Sequence, residues 1–171
     1  MLRGIPNIIS PELLKILHEM GHGDEICLGD CNFPACSCAE AGNGKLVRYD
    51  SIRMPQLLDA ILSVFPLDYF VDKSVTLMAI EPGDDAKTPI WDEYKAIIAK
   101  YDSRGTDTIE YVSRLDYYDR AKKCFAVVAT GESAAYGNII LIKNPLFEQI
   151  QPTGGRADLF RSHSPAIRHK R

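Results

Sequence analysis

The fold class is decided by residues 10–29, which read SPELLKILHEMGHGDEICLG. Serine followed by proline is typical of the cap and first position of a helix, and the leucines that follow recur at helical spacing. Two glycines then end the helix. Residues 25–29 have Ile26 and Leu28 on one face of a short strand. The stretch therefore predicts a helix followed directly by a strand.

The same alternation continues along the chain. Apolar spacing predicts further helices near 55–65, 90–101 and 117–123, and strands near 74–81, 107–113, 125–130 and 138–142. Residues 31–49, which contain Pro34 and a Gly-Asn-Gly turn, are expected to form a loop. Strands that alternate with helices predict an α/β layered fold.

Composition favours a globular protein over other classes. The chain has 171 residues, of which 46% are hydrophobic and 25% charged, and its formal net charge is −3. This balance argues against a nucleic acid or an anionic membrane as the main partner. No apolar run approaches the length of a membrane span, and no secretory signal is apparent at the N-terminus. A cytoplasmic location is expected.

Two regions differ in character. Residues 1–143 carry the predicted elements and form one domain, whereas residues 144–171 are basic, contain several glycines and prolines, and have only scattered apolar residues. We expect a disordered tail over 144–171. A basic docking segment is the alternative, and the sequence does not separate the two.

The five cysteines are an odd number, and a cytoplasmic chain keeps them reduced. Cys31, Cys36 and Cys38 cluster, but they lack the paired spacing of structural zinc sites. The sequence therefore predicts no metal site.

Two residues near the first predicted strand could take part in chemistry. His22 lies between two glycines, and an imidazole exchanges protons near neutral pH. Its alternative role is to complement the C-terminal dipole of the preceding helix. Asp30 follows the strand, at the edge where α/β proteins place binding groups.

Other candidates lie nearer the C-terminus. The phenol of Tyr118 could shuttle a proton and Arg114 could orient a hydroxyl, whereas Tyr117 is expected to cover the core. Tyr136 and Asn138 flank a glycine, and an amide offers a donor and an acceptor that suit the vicinal hydroxyls of a sugar. A simple turn between two strands is the alternative there.

Taken together, these runs resemble the L-fucose mutarotase and D-ribose pyranase family, and most closely its animal fucose mutarotase branch. The resemblance spans residues 2–142 in order. It is carried by the runs at 10–14, 20–26, 32–34, 55–58, 88–91, 118–123, 125–132 and 136–140. Relatives usually stop soon after the last strand, whereas this chain continues past Lys143, and the loop at 31–44 differs from that of bacterial members.

The resemblance implies a single three-layer α/β domain with a central mixed sheet flanked by helices. It implies a sugar mutarotase of carbohydrate metabolism that interconverts the α and β anomers of L-fucose without a cofactor. His22 would protonate the ring oxygen and Tyr118 would exchange the proton of the anomeric hydroxyl. The implied sugar-binding residues are Asp30, Asp68, Met78, Arg114, Tyr136 and Asn138.

The resemblance also implies self-association into a ring, typically a decamer, with sites close to the borders between subunits. Three other functions stay open at this point. One is exchange between the pyranose and furanose forms of D-ribose, and another is a catalytically silent sugar-binding subunit. The third is a metal-dependent hydrolase that uses His22, Asp30 and the cysteine loop.

Overall fold

A computed structural model describes residues 2–146 of the chain. Most of the predicted tail over 144–171 therefore lies outside the described residues. Helices and strands alternate along most of the described part, which is the pattern that the sequence predicts outside residues 31–49. The helices are α1 (Pro11–Glu19), α2 (Ala35–Ala41), α3 (Met54–Leu62), α4 (Pro89–Tyr101) and α5 (Arg114–Ala121), with a 3-10 turn at Gly105–Thr108. The strands are β1 (Glu25–Gly29), β2 (Leu46–Tyr49), β3 (Val75–Met78), β4 (Ile109–Val112), β5 (Ala126–Thr130) and β6 (Ile139–Ile142).

Capping interactions set the starts of two helices. Ser10 caps α1, because its hydroxyl accepts a hydrogen bond from the Leu13 N–H at 3.1 Å. Ser113 caps α5 in the same way through the Asp116 N–H, at 3.2 Å. The second cap fixes where α5, which carries Tyr118, leaves the end of β4.

The strands form one mixed six-stranded sheet in the order β2-β5-β1-β6-β3-β4. Strand β6 runs antiparallel to both of its neighbours, β1 and β3, while the remaining neighbouring pairs are parallel. The carboxyl ends of the parallel strands therefore meet at a single edge of the sheet. In α/β proteins, this is the edge where ligands bind.

Helices cover both faces of the sheet and make three layers. Alternate strand residues face opposite sides, so Ile26 and Leu28 pack in the larger core with α1, α3 and α4. Cys27 points to the other side and packs in a smaller core with α2 and α5. This is the three-layer α/β arrangement that the resemblance implies, and it confirms the predicted fold class.

The prediction of a loop over residues 31–49 is wrong, since α2 and β2 both lie there. Helix α2 has seven residues and no side-chain cap, so packing rather than local sequence signals stabilises it. Strand β2 is at the sheet edge and owes its conformation to pairing with β5. The Gly-Asn-Gly turn separates these two elements.

The helices are short. The longest, α4, has 13 residues, and within residues 2–146 no helix combines the length and the apolar character that a membrane crossing requires. The five cysteines are free thiols, with Cys31 and Cys36 exposed and the other three buried.

Candidate active site at the carboxyl edge of the sheet

A hollow of about 210 Å³ opens where β1, β3 and β4 end. Its volume is below the range of about 300–1,000 Å³ that is usual for drug-sized ligands, so it suits a smaller molecule. Six of the eight predicted site residues line it, together with Asn32, Phe33 and Ala135. The six are Asp30, Met78, Arg114, Tyr118, Tyr136 and Asn138.

Asp30 and Asn138 form the buried floor of the hollow. The Asp30 N–H donates to Asn138 Oδ1 at 2.8 Å, and Asn138 Nδ2 donates back to Asp30 Oδ2 at 2.9 Å. The other carboxylate oxygen accepts the Asn32 N–H at 2.9 Å. Burial raises the pKa of Asp30, although these donors act in the opposite direction. The pair offers carboxylate and amide oxygens at fixed positions to a polyhydroxylated ligand.

Aromatic packing places Tyr118 at the wall of the hollow. Its ring centre lies 5.8 Å from that of Phe33. Gly29 makes room for Phe33, because a Cβ at position 29 would lie 2.5 Å from the Phe33 ring. The neighbouring Tyr117 points the other way and is fully buried beside Cys27, which confirms the prediction that it covers the core.

Tyr136 has an unusual backbone and is held at three points. Its φ of 55° lies in the left-handed region, which is rare for residues other than glycine. Its phenol donates to Asp84 Oδ2 at 2.5 Å and accepts the Glu81 N–H at 3.2 Å. The indole N–H of Trp91 donates to the Tyr136 carbonyl at 2.9 Å. Arg114 approaches the same segment, with Nε 3.2 Å from Glu81 Oε1.

Glu132 is a structural residue of the site that sequence reasoning missed. It is buried, and one carboxylate oxygen accepts the N–H groups of Ser133 and Ala134, at 3.0 and 2.9 Å. The other oxygen accepts the Met54 N–H at 3.3 Å and lies 3.3 Å from Arg53 Nε. The carboxylate thereby fixes the turn that leads into Tyr136. A glutamate directly after a buried strand and a glycine was the available signal.

His22 and Asp68, the two remaining predicted residues, pair with each other outside the hollow. His22 Nε2 lies 3.1 Å from Asp68 Oδ2. The Asp68 side chain is 2% exposed and the His22 side chain 47% exposed. The other Asp68 oxygen accepts the Phe70 N–H at 2.9 Å, and the Phe70 ring centre lies 5.3 Å from that of His22. Since a carboxylate only accepts hydrogen bonds, this pair requires a proton on Nε2.

The pair lies at the other end of β1 from the hollow. His22 precedes the strand, and the Asp68 N–H bonds to the carbonyl of Ile142, the last residue of β6. Asp30 follows the strand, whose five residues rise by about 3.3 Å each and so separate its two ends by about 13 Å. Within one copy of the chain, therefore, the structure does not bring His22 and Tyr118 together.

Other parts of the surface offer less chemistry. A larger hollow of about 350 Å³ at the N-terminal end is lined by apolar side chains and Asn7, so it presents no proton-transfer group. Within residues 2–146, no three histidine, cysteine or carboxylate side chains converge as metal ligands would. Charged side chains also line a hollow between α1 and β2, which contains Glu12, Lys15, Glu19 and Lys45. The hollow at the carboxyl edge differs in that six predicted site residues meet there.

The chain is similar to known proteins over most of its length. Residues 3–145 match the RbsD / FucU transport protein family. The chain is 47% identical over 148 residues to the fucose mutarotase of Mus musculus, covering 85% of this chain and 95% of that protein. The crystal structure of FucU from Bifidobacterium longum superposes with a TM-score of 0.82 at 50% identity, over 85% of this chain and all of that one. A fucose mutarotase from Streptococcus pneumoniae in complex with L-fucose superposes with a TM-score of 0.78 at 48% identity and the same coverage.

Proposed function

The chain belongs to the RbsD / FucU transport protein family, and on that premise we propose that it is a mutarotase that interconverts the α and β anomers of L-fucose. The observation that carries the proposal is the convergence of Asp30, Tyr118, Tyr136 and Asn138 on one small hollow. Relatives at 47 and 48% identity are named fucose mutarotases, and one of them was crystallised with L-fucose.

Anomer exchange requires two proton transfers. The bond between C1 and the ring oxygen breaks as that oxygen takes a proton, and the anomeric hydroxyl loses its proton as its bond to C1 becomes a carbonyl. The aldehyde then turns, and closure on its other face reverses both transfers. A positioned acid or base contributes about 10²–10⁴ in rate. Neither transfer needs a metal ion or a redox cofactor.

The site residues suit these steps. Asp30 and Asn138 hold sugar hydroxyls, while Met78 and Arg114 complete the walls. The phenol of Tyr118 relays the proton of the anomeric hydroxyl. Its oxygen accepts that proton while the phenol's own proton passes to water.

His22 is the general acid for the ring oxygen. Because Nε2 is engaged by Asp68, Nδ1 is the nitrogen that faces the sugar. Asp68 orients the imidazole and balances the charge of its protonated form.

A second copy of the chain supplies the missing half of the site. His22 lies before the start of β1, whereas the hollow lies beyond its end, so His22 cannot reach the hollow of its own copy. The acid for each sugar therefore comes from a neighbouring subunit. The surface around His22 suits such a contact, because Tyr69 and Phe70 beside it are 55% and 58% exposed and exposed aromatic residues are common at interfaces. The assembly implied by the family resemblance is a ring of ten copies.

The compartment we propose is the cytoplasm, which keeps thiols reduced and so suits the five free cysteines. There the enzyme would serve carbohydrate metabolism, including fucose salvage.

The test is magnetisation exchange between the two anomers of L-fucose, measured by NMR. Wild type should accelerate exchange well above buffer, and His22→Ala should lower the protein-catalysed rate by about 10²–10⁴. His18→Ala, which changes another exposed histidine on α1, is the matched control and should keep the wild-type rate. If wild type binds L-fucose and does not accelerate exchange, the protein is a sugar-binding subunit. A faster pyranose–furanose exchange of D-ribose under the same conditions would favour the pyranase alternative.

A further inference from the structure

A tight turn after β3 presents a carboxylate to the phenol of Tyr136. Glu81, Pro82, Gly83 and Asp84 form it, with the Asp84 N–H bonded to the Glu81 carbonyl at 3.0 Å. Proline at the second position and glycine at the third, where φ is +89°, are the features of a type II turn. The turn therefore fixes the position of Asp84 before any ligand binds.

Both oxygens of Asp84 are engaged. Oδ1 accepts the Ala86 N–H at 2.9 Å, and Oδ2 accepts the Tyr136 phenol proton at 2.5 Å. The phenol oxygen in turn accepts the Glu81 N–H at 3.2 Å. A phenol has one proton and two lone pairs, so its proton and one lone pair are committed. One lone pair remains for a ligand.

We propose that Asp84 is a positioning residue for sugar recognition, which turns the Tyr136 phenol so that it can only accept a hydrogen bond from a sugar hydroxyl. The inference rests on the proposed function, since it names how one predicted sugar contact is made. Asp84 does not line the hollow and acts through Tyr136.

This arrangement makes the hollow select ligands that donate hydrogen bonds. The Asp30 carboxylate in the floor also accepts hydrogen bonds, so two groups of the hollow face the ligand as acceptors. A sugar must present free hydroxyls to both, and an O-methyl or fluorine substituent at the hydroxyl facing Tyr136 removes the required donor. The bond to Asp84 raises the pKa of the Tyr136 phenol, although the Glu81 N–H acts to lower it. The phenol therefore keeps its proton at neutral pH, as the arrangement requires.

The variant Asp84→Asn reverses the polarity of the contact. The asparagine oxygen stays with the Ala86 N–H, its NH₂ group donates to the phenol, and the phenol proton then turns toward the ligand. Loss of the hydrogen bond between the sugar hydroxyl and the neutral phenol corresponds to a rise in the L-fucose KM of about 2- to 10-fold, with kcat within about twofold because the proton-transfer groups are untouched. Asp85→Asn makes the same charge change one residue away and should leave both constants unchanged, and Asp84→Glu should restore part of the affinity.

A titration without sugar tests the contact independently of activity. NMR of tyrosines labelled with ¹³C at Cζ, with the Tyr136 signal assigned from Tyr136→Phe, follows the phenol directly. In Asp84→Asn its pKa should fall toward that of an ordinary tyrosine, and in Asp85→Asn it should not move. An unchanged Tyr136 titration in Asp84→Asn, or an equal rise of KM in the two variants, overturns the proposal. If wild type fails to exchange fucose anomers, the mutarotase proposal fails while the titration still decides the role of Asp84.

Discussion

His22 and Tyr118 lie beside opposite ends of strand β1. The imidazole of His22 pairs with Asp68 beside the start of the strand, and the phenol of Tyr118 lines the hollow beyond its end with Asp30. A monosaccharide that contacts one of these groups cannot contact the other in the same copy. A mechanism that uses both therefore requires two copies, and it makes the segment that holds Asp68 important for activity.

Arg104 holds that segment in place. Its guanidinium donates to the carbonyls of Val71 and Asp68, at 2.7 and 2.8 Å, and to both oxygens of Asp102. A lysine cannot span these acceptors, so Arg104→Lys should lower the free energy of unfolding by about 1–3 kcal/mol and slow anomer exchange through misplacement of His22. Urea titration and NMR exchange measure the two effects.

The matched control for that change is Arg48→Lys. Arg48 pairs with Asp50 at an exposed position, where an ion pair contributes at most about 1 kcal/mol. If the two variants lost the same stability and activity, the role assigned to Arg104 would be wrong.

Asp102 should give a pH-dependent contribution to stability. Burial acts to raise its pKa, but the hydrogen bonds and charge of Arg104 outweigh burial, and the pKa lies below the usual value. A carboxyl whose pKa is lower in the folded state stabilises the fold above the unfolded-state pKa, which is about 3.9. That contribution is lost as the pH falls through the folded-state pKa.

Thermal unfolding of wild type and Asp102→Asn between pH 7 and pH 3 checks this sign. The Tm of wild type should exceed that of Asp102→Asn by a constant amount at neutral pH, and this difference should shrink below about pH 4. A difference in Tm that grew toward pH 3 would contradict the stabilising role of the ionised Asp102. Asp85→Asn provides a control for the loss of a carboxylate at an exposed position.

The cysteines should separate into two classes by reactivity. Cys31 and Cys36 are exposed, whereas Cys27, Cys38 and Cys124 are buried. Burial also raises the pKa of each of these three thiols, and the thiolate is the reactive form. Iodoacetamide followed by mass spectrometry should therefore modify two sites rapidly in the native protein and the other three only after denaturation. Rapid modification of Cys27 in the native protein would show that the core around α2 and α5 opens readily.

Local signals in the sequence were sufficient for most of the fold. A cap, a proline and a helical repeat specify α1, and alternation specifies β1, because these signals act over a few residues. The elements α2 and β2 were missed because their stability comes from contacts with distant residues, such as the pairing of Val47 with Val128.

The site was predictable to a similar extent. Five residues singled out by local patterns meet at one hollow, in part because groups that follow parallel strands share an edge. Met78 lines the same hollow and was implied by the family resemblance alone. The contact between Asp84 and Tyr136 joins residues that are 52 positions apart, and no spacing rule indicates it. The separation of His22 from Tyr118 likewise depends on how the strands are ordered in the sheet, which local patterns do not specify.

The central claim, that one site takes its acid and its phenol from two copies, can be tested by mixing inactive variants. His22→Ala and Tyr118→Phe should each be nearly inactive alone, because every site lacks one of the two groups. In hybrids assembled from equal amounts, a site receives both intact groups with a probability of about one quarter, as expected for random mixing in a symmetric ring. Mixing His22→Ala with the double variant is the control, since no intact His22 is then present.

The decisive measurement is the L-fucose anomer exchange rate of these hybrids, with mixed assembly verified by native mass spectrometry. We expect recovery to about one quarter of the wild-type rate in the hybrids and none in the control. Hybrids that assemble yet remain as inactive as their parents would contradict a site shared between two copies.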